Sequence, residues 1–428
     1  MAIADRIAER GSGMLGNRWL RILGVAFIMY VLSFVDRVNL AMAAPAMRAE
    51  LGLSPAAIGF AAGFFPWGYI ILQIPAGRLA GVWSAKRVIL IQLVLWSAVA
   101  LSTAFVNSGT ELIINRFALG LAEGGVLTCT IVLIRAWFTR AERARANTLF
   151  LLSLAIGPVI ANPISGIVLA YVGWRAMFVA EALPALLWGL VWWWAIADGP
   201  GEAPWLDPAE RERLVAALEA ERAEVEAPRG HWLATLWHPA VLLLAFYNFA
   251  ALMAEYGVNF WLPTVLKETG RSILAVGFLS AIPYAAGALL MILIAWSSDR
   301  TQERKWHMIA ATAAAGILLM LASLAPQGST FAILFCLTLS VAAFLGRFGP
   351  FWTLPSEILP PAVAGVGIGL INGAGNLGGT VGPYFFGYVR QMTGTFSLAL
   401  LVGGVSLVVG SLIAVPIKRR RALRAPKE

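Results

Sequence analysis

Six ionisable residues are clear cases of charge inside long apolar runs: Asp36, Arg37, Arg116, Glu123, Glu255 and Arg347. A charged group at the centre of a bilayer costs about 2.5–3.5 kcal/mol on insertion scales, so a chain that keeps six has them paired or working. The residue types suit one kind of chemistry. A guanidinium stays charged and grips a carboxylate with a fork of donors. A buried carboxyl gains proton affinity from desolvation and loses it to a neighbouring Arg. When an anion occupies the Arg, the carboxyl loses its counter-charge and takes a proton, so anion and proton binding become reciprocally linked. This is the chemistry of proton–anion symport.

Spacing narrows the arrangement. Asp36 and Arg37 are adjacent and point about 100° apart on a helix, so each needs a partner on another helix. Arg116 and Glu123 lie seven residues apart, about two turns, on one helix face and too distant to pair with each other. The simplest satisfied arrangement sets Asp36 near Arg116 and Arg37 near Glu123, and makes Asp36 and Glu123 the proton-coupling groups. Candidate substrate contacts are Arg37, Arg116, Tyr69 and Gln73 in that region, with Asn372, Asn376, Glu255 and Arg347 further along. Tyr69 and Gln73, Asn372 and Asn376, and Glu255 and Asn259 are each i, i+4 pairs on one helix face. Arg347 falls towards the inner half of its run, where a long side chain can snorkel to the cytosol.

The elements that must hold these groups follow from composition. The 428 residues are 59% hydrophobic and only 13% charged, against about 45–50% and 25% in soluble domains. Apolar runs long enough to cross about 30 Å of hydrocarbon fall at 19–44, 55–77, 88–106, 110–134, 147–171, 176–197, 240–263, 273–296, 308–325, 330–353, 363–389 and 395–417. The fold expected is an all-α membrane protein with twelve transmembrane helices in two six-helix bundles. The net charge of +9 is spread so that 24 of the 32 Lys and Arg, counting Arg21 near the inner end of the first run, fall on one side with both termini, five in the opposite loops and three deeper inside spans. That bias puts both ends in the cytosol. The expected organisation is an N-terminal arm (1–18), a first bundle (19–197), a cytosolic linker (198–237), a second bundle (238–417) and a basic tail (418–428). Asp207-Pro208 predicts a helix start within the linker, with Leu214, Leu218 and Val225 as a thin apolar stripe on an otherwise solvated helix. Cys129 and Cys336 read as packing residues. Trp193 and its neighbours read as an interfacial belt.

The halves repeat weakly. Gly81 and Asp299 are 218 apart, and Pro163 and Pro383 are 220 apart. Such a repeat marks a two-bundle secondary transporter with its substrate between the bundles near the midplane. Loops after spans two and eight carry the candidate gating residues Arg78, Asp299 and Arg300.

Several stretches resemble the major facilitator superfamily, and within it the anion:cation symporter family: FVDRVNLAMAAP, RFALGLAEGG, GWRAMFVAEALPA, SSDRTQERKWH, GPFWTLPSEIL and GLINGAGNLGGTVGPYFFG. The likeness runs over nearly the whole chain. It implies the twelve-helix major facilitator fold and transport of organic anions: sugar acids, hydroxy dicarboxylates such as tartrate, or aromatic acids, with protons. It places the family's coupling acids on Asp36 and Glu123, its carboxylate-binding Arg on Arg37 or Arg116, its GNLGG polar residue on Asn376 and its span-two tyrosine on Tyr69. Two positions depart from the family pattern. Gly81 stands where the first gating loop carries Asp, and Phe34 where several sugar-acid members carry Tyr, which favours a less hydroxylated or more aromatic substrate.

The leading expectation is therefore a proton-coupled importer of a carboxylate working by alternating access in a bacterial inner membrane. It would act as a monomer whose partners are a small organic anion, protons and lipid, with no nucleic acid, metal or cofactor. Efflux of an organic anion or drug, and a transporter-like sensor, remain open alternatives. A membrane-embedded enzyme would need a His cluster or nucleophile motif, and His231, His238 and His307 are scattered, with no HExxH or GxSxG.

Overall fold

A computed structural model describes residues 18–223, 237–326, 329–359 and 361–417. Most of the expected arm, part of the linker with His231 and Val225, and the basic tail lie outside the described residues. Among them every regular element is helical, as lipid demands of a chain whose backbone groups must bond within their own segment. The helices are α1 (Val25–Leu51), α2 (Pro55–Leu79), α3 (Ala85–Ser102), α4 (Gly109–Glu123), α5 (Val126–Trp137), α6 (Arg140–Leu151), α7 (Ser153–Ala195), α8 (Pro208–Ala223), α9 (Pro239–Glu268), α10 (Ile273–Thr301), α11 (Lys305–Ser323), α12 (Thr330–Gly346), α13 (Phe348–Ile358), α14 (Pro361–Thr393) and α15 (Ser397–Ile413).

Among the described residues, eight continuous helical stretches are long and apolar enough to cross a membrane. Two of these, Pro55–Phe105 and Arg140–Ala195, run to 51 and 56 residues, enough for two crossings each. The first is broken by a wide turn at Ala80–Ser84, and the second at Gly173, whose φ of 77° suits only glycine. With α14 and α15 these make up, among the described residues, the twelve spans expected.

By packing, the chain divides into one unit of Met1–Ala43 with Trp67–Glu226 and another of Ala44–Pro66 with Ala227–Glu428. The first buries Trp96, Trp137, Phe150, Phe178 and Trp192. Helix α8 belongs to it. Asp207 caps this helix as expected, its Oδ2 accepting from the Ala209 and Glu210 amides at 3.1 and 3.2 Å. The helix is not merely solvated, however. Leu214 and Leu218 are buried, and Glu210 and Glu221 pair with Arg18 and Arg143 at 3.3 and 2.9 Å. A two-residue stripe is thus enough to dock it when ion pairs flank the contact.

In the second unit, α9 and α14 lie so close that glycine is required between them. A Cβ on Gly378 would sit 2.1 Å from the Phe249 carbonyl oxygen, and one on Gly382 2.1 Å from that of Met253. Small residues are how membrane helices approach closely. Gly382→Val is expected to destabilise by about 1–3 kcal/mol through overpacking, read as a lowered Tm in detergent; an unchanged Tm would mean that the two helices separate without cost.

Candidate functional site

The first unit joins α1 to the end of α4. Arg37 on α1 donates from Nε and Nη2 to Glu123 Oε2 at 3.0 and 2.8 Å. Glu123 is there because α4 ends on it. The next residues are Gly124 and Gly125, and Gly125 has φ 98°, so the helix stops and restarts as α5. The two partners are unequally placed: the Glu123 side chain is 0% exposed and that of Arg37 21%. Glu123 Oε1 is buried without a hydrogen-bond partner. The Arg37 guanidinium also lies over the rings of Phe34, Tyr69 and Tyr30 at 5.1, 5.6 and 5.7 Å. Tyr69 is therefore in the cluster, and Gln73 follows it one turn on, half-buried.

The second expected pairing does not form. Arg116 is buried, but its guanidinium donates to Asn115 Oδ1 at 2.7 and 3.2 Å and to Thr103 Oγ1 at 2.6 Å. No ion pair joins it to Asp36 among the described residues. Asp36 is 1% exposed, accepts from Asn39 Nδ2 at 3.4 Å and keeps Oδ2 unpartnered. The two charges remain within electrostatic reach of each other. Uncharged acceptors at Asn115 and Thr103 satisfy the guanidinium, so a carboxylate in direct contact is unnecessary.

Sequence reasoning missed Glu181. It lies on α7, is 5% exposed and faces Asn39 and Ser165, with Asp36 in electrostatic reach. The signal was there, since a Glu within the apolar run 176–197 meets the same test that singled out Glu255. Thr103, Asn115 and Asn39 were missed as well, being common neutral polar residues without a distinguishing pattern.

In the second unit Arg347 does not snorkel; it is 0% exposed. It caps the end of α12 inside four aromatic rings, Phe344, Phe348, Phe351 and Tyr247, at 4.2 to 5.5 Å. Cation–π attraction, about 0.5–2 kcal/mol each, replaces the aqueous escape route. Arg347 Nη1 donates to Asn248 Oδ1 at 3.5 Å, and Asn248 in turn donates to the Ile371 carbonyl of α14 at 3.0 Å. Glu255 and Asn259 share a face of α9, as expected, and line one cavity with Tyr284 and Ser340. Asn376 is 8% exposed and donates to the Asn372 carbonyl at 3.0 Å, which ties it back to its own helix; Asn372 is half-buried.

Of the candidate gating residues, Arg78 is exposed at the end of α2. Asp299 pairs with Arg304, which lies 3.7 Å from Glu357, while Arg300 covers the ring of Trp296 at 5.5 Å.

The chain matches the family described as Major Facilitator Superfamily over residues 26–383. It is 34% identical over 406 residues to a protein of Agrobacterium vitis named for tartrate transport, covering 94% of this chain and 93% of that one. It is 32% identical over 406 residues to a quinolone resistance transporter of Acinetobacter baumannii, covering 92% of each. Among solved structures, the xylose transporter XylE from E. coli in its inward open conformation superposes with a TM-score of 0.75 at 18% identity, covering 91% of this chain and 94% of that one.

Proposed function

This chain belongs to the major facilitator superfamily, a transporter and not an enzyme, and from that premise we propose that it imports an organic carboxylate together with protons by alternating access. The observation that carries this reading is the unequal burial of the Arg37–Glu123 pair. Arg37 is the partner that an incoming anion can reach, and Glu123 is the one sealed from water. Removing one member of a buried pair leaves a charge whose uncompensated cost is about 3–5 kcal/mol. A carboxylate that draws Arg37 away imposes that cost on Glu123, and a proton on Glu123 relieves it. Loading the anion thereby loads the proton, and the linkage runs equally in reverse.

In this scheme Asp36, beside Arg116, is the second coupling acid of the unit. Arg37 and Arg116 attract the anion, and Tyr69 and Gln73 in the same unit read its remaining polar groups. The protein would act as a monomer in a bacterial cytoplasmic membrane with both termini in the cytosol, the side where most Lys and Arg fall. Relatives named for tartrate and for galactarate/D-glucarate favour a hydroxy dicarboxylate or sugar acid.

The test is uptake into proteoliposomes under an imposed pH gradient, with L-tartrate, D-glucarate and sulfoacetate as the panel. An acidic exterior is expected to drive accumulation of at least one of them; uptake indifferent to the gradient would overturn proton coupling. Efflux of an aromatic acid is the second reading. It is favoured by the quinolone resistance relative and by Phe34, whose ring sits 5.1 Å from the Arg37 guanidinium carbon. Accumulation of a fluoroquinolone inside inverted vesicles, with no tartrate uptake into right-side-out ones, would select it.

A further inference from the structure

The second unit also sets an acid and a base on two of its helices, in the reverse order from Arg37 and Glu123. In the first unit the base, Arg37, is on α1 and the acid, Glu123, ends α4. In the second, the acid, Glu255, is on α9 and the base, Arg347, follows the last residue of α12. Glu255 lies 219 residues after Asp36, which is the repeat period of the two halves. Both interruptions, between α4 and α5 and between α12 and α13, place an ionisable group where an apolar run is broken.

The two pairs differ in one respect. Arg37 and Glu123 touch, whereas Glu255 and Arg347 are within electrostatic reach but form no ion pair among the described residues. Glu255 Oε2 is buried with no hydrogen-bond partner, and Arg347 Nε likewise. The cavity beside Glu255 measures about 20 Å³. One water needs roughly 10–15 Å³ on the same measure, so a water or hydronium fits and a carboxylate does not. The titratable groups that face Glu255 are Arg347 and, from α10, Tyr284. The other walls, from α11 and α15, supply Leu319 and Leu407, and α12 supplies Ser340, Val341, Phe344 and Leu345. On α14 the charged residue is Arg390, which is occupied by Glu268 at 3.0 Å.

We propose that Glu255 is a further proton-carrying carboxyl, held within electrostatic reach of Arg347 in the C-terminal unit beside a water-sized cavity, so that the cycle moves one proton more than the acids of the first unit alone. The step is a simple transfer: hydronium gives its proton to a carboxylate oxygen of Glu255 and leaves as water, and the reverse occurs on the other side. With Glu255 ionised, the Glu255–Arg347 set is neutral; with Glu255 protonated, Arg347 leaves it one positive charge. An anion is therefore favoured when Glu255 carries its proton. Arg347 acts here as a positioning residue, locked in place by its aromatic cage. This inference rests on the proton-coupled reading only for its consequence in transport; the protonation itself is testable without substrate.

Two measurements keep those apart. The first is pH-difference infrared spectroscopy of the purified protein in liposomes, in the region of the protonated carboxyl stretch. Glu255→Gln is expected to lose one component of the wild-type difference spectrum and Glu255→Asp to shift it. Spectra of either variant that coincide with wild type would overturn the proposal. Should Glu255→Gln unfold, the Glu255→Asp spectrum decides alone. The second is L-tartrate accumulation in proteoliposomes per imposed pH unit. Loss of one coupled proton is expected to lower the ratio about tenfold in Glu255→Gln, and an unchanged ratio would overturn the coupling role. Wild-type protein that ignores the gradient defeats the proposed function, while the infrared result still judges Glu255.

Discussion

Glu123→Gln is expected to remove the share of uphill anion accumulation that Glu123 drives while leaving exchange across the membrane intact. Gln keeps the shape of the protonated carboxyl but can neither bind nor release a proton. Arg37, which loses its counter-charge in this variant, stays available to the anion, so binding and the empty-to-loaded transitions persist. Each coupled proton supports about tenfold accumulation per unit of imposed pH difference, since a tenfold ratio and one pH unit are each about 1.4 kcal/mol. The accumulation ratio should fall by at least about tenfold, with counterflow of labelled tartrate still measurable. Uphill uptake at the wild-type level would remove Glu123 from the coupling scheme, whatever Glu255 does.

Arg37→Ala is expected to weaken anion binding by a hundredfold or more. A charge-assisted hydrogen bond contributes about 1.5–3 kcal/mol, and Arg37 offers a fork with more than one donor. Its removal also strands Glu123, whose side chain is fully buried and whose hydrogen bonds come from Arg37. That second effect threatens stability, so the informative comparison is the double variant Arg37→Ala with Glu123→Gln. It removes both charges at once and should recover thermal stability without recovering ligand-induced stabilisation by tartrate. Arg37→Lys should fall between, because it keeps the charge and loses the planar fork. Normal stabilisation of the double variant by tartrate would rule out Arg37 as the clamp and leave Arg116 as the alternative.

These two experiments bear on a pair whose existence was legible in one dimension. Asp36, Arg37, Arg116 and Glu123 stood out because each interrupts a run that is otherwise apolar, and the expected contact between Arg37 and Glu123 is present at 2.8 Å. The companion contact failed for a local reason. Asn115, next to Arg116 in the chain, and Thr103, at the turn after α3, supply acceptors that a search for opposite charges does not weigh. Arg347 was misplaced for a similar reason. Distance from the end of a span suggests snorkelling, but only packing reveals the ring of Phe344, Phe348, Phe351 and Tyr247 that closes round it.

The amino-acid sequence by itself determined that this chain spans a membrane many times, that its halves repeat, and that ionisable groups are held within the apolar runs. Hydropathy and charge are sums over neighbouring residues, so a linear string contains them in full. The tertiary structure alone decided who meets whom. Each residue turns the side-chain direction by about 100°, and helices far apart in the chain select which of those directions converge. That is why Glu123 lies against Arg37, Glu181 lies beside Asn39, and Glu255 opens with Tyr284 and Ser340 on a space the size of one water molecule.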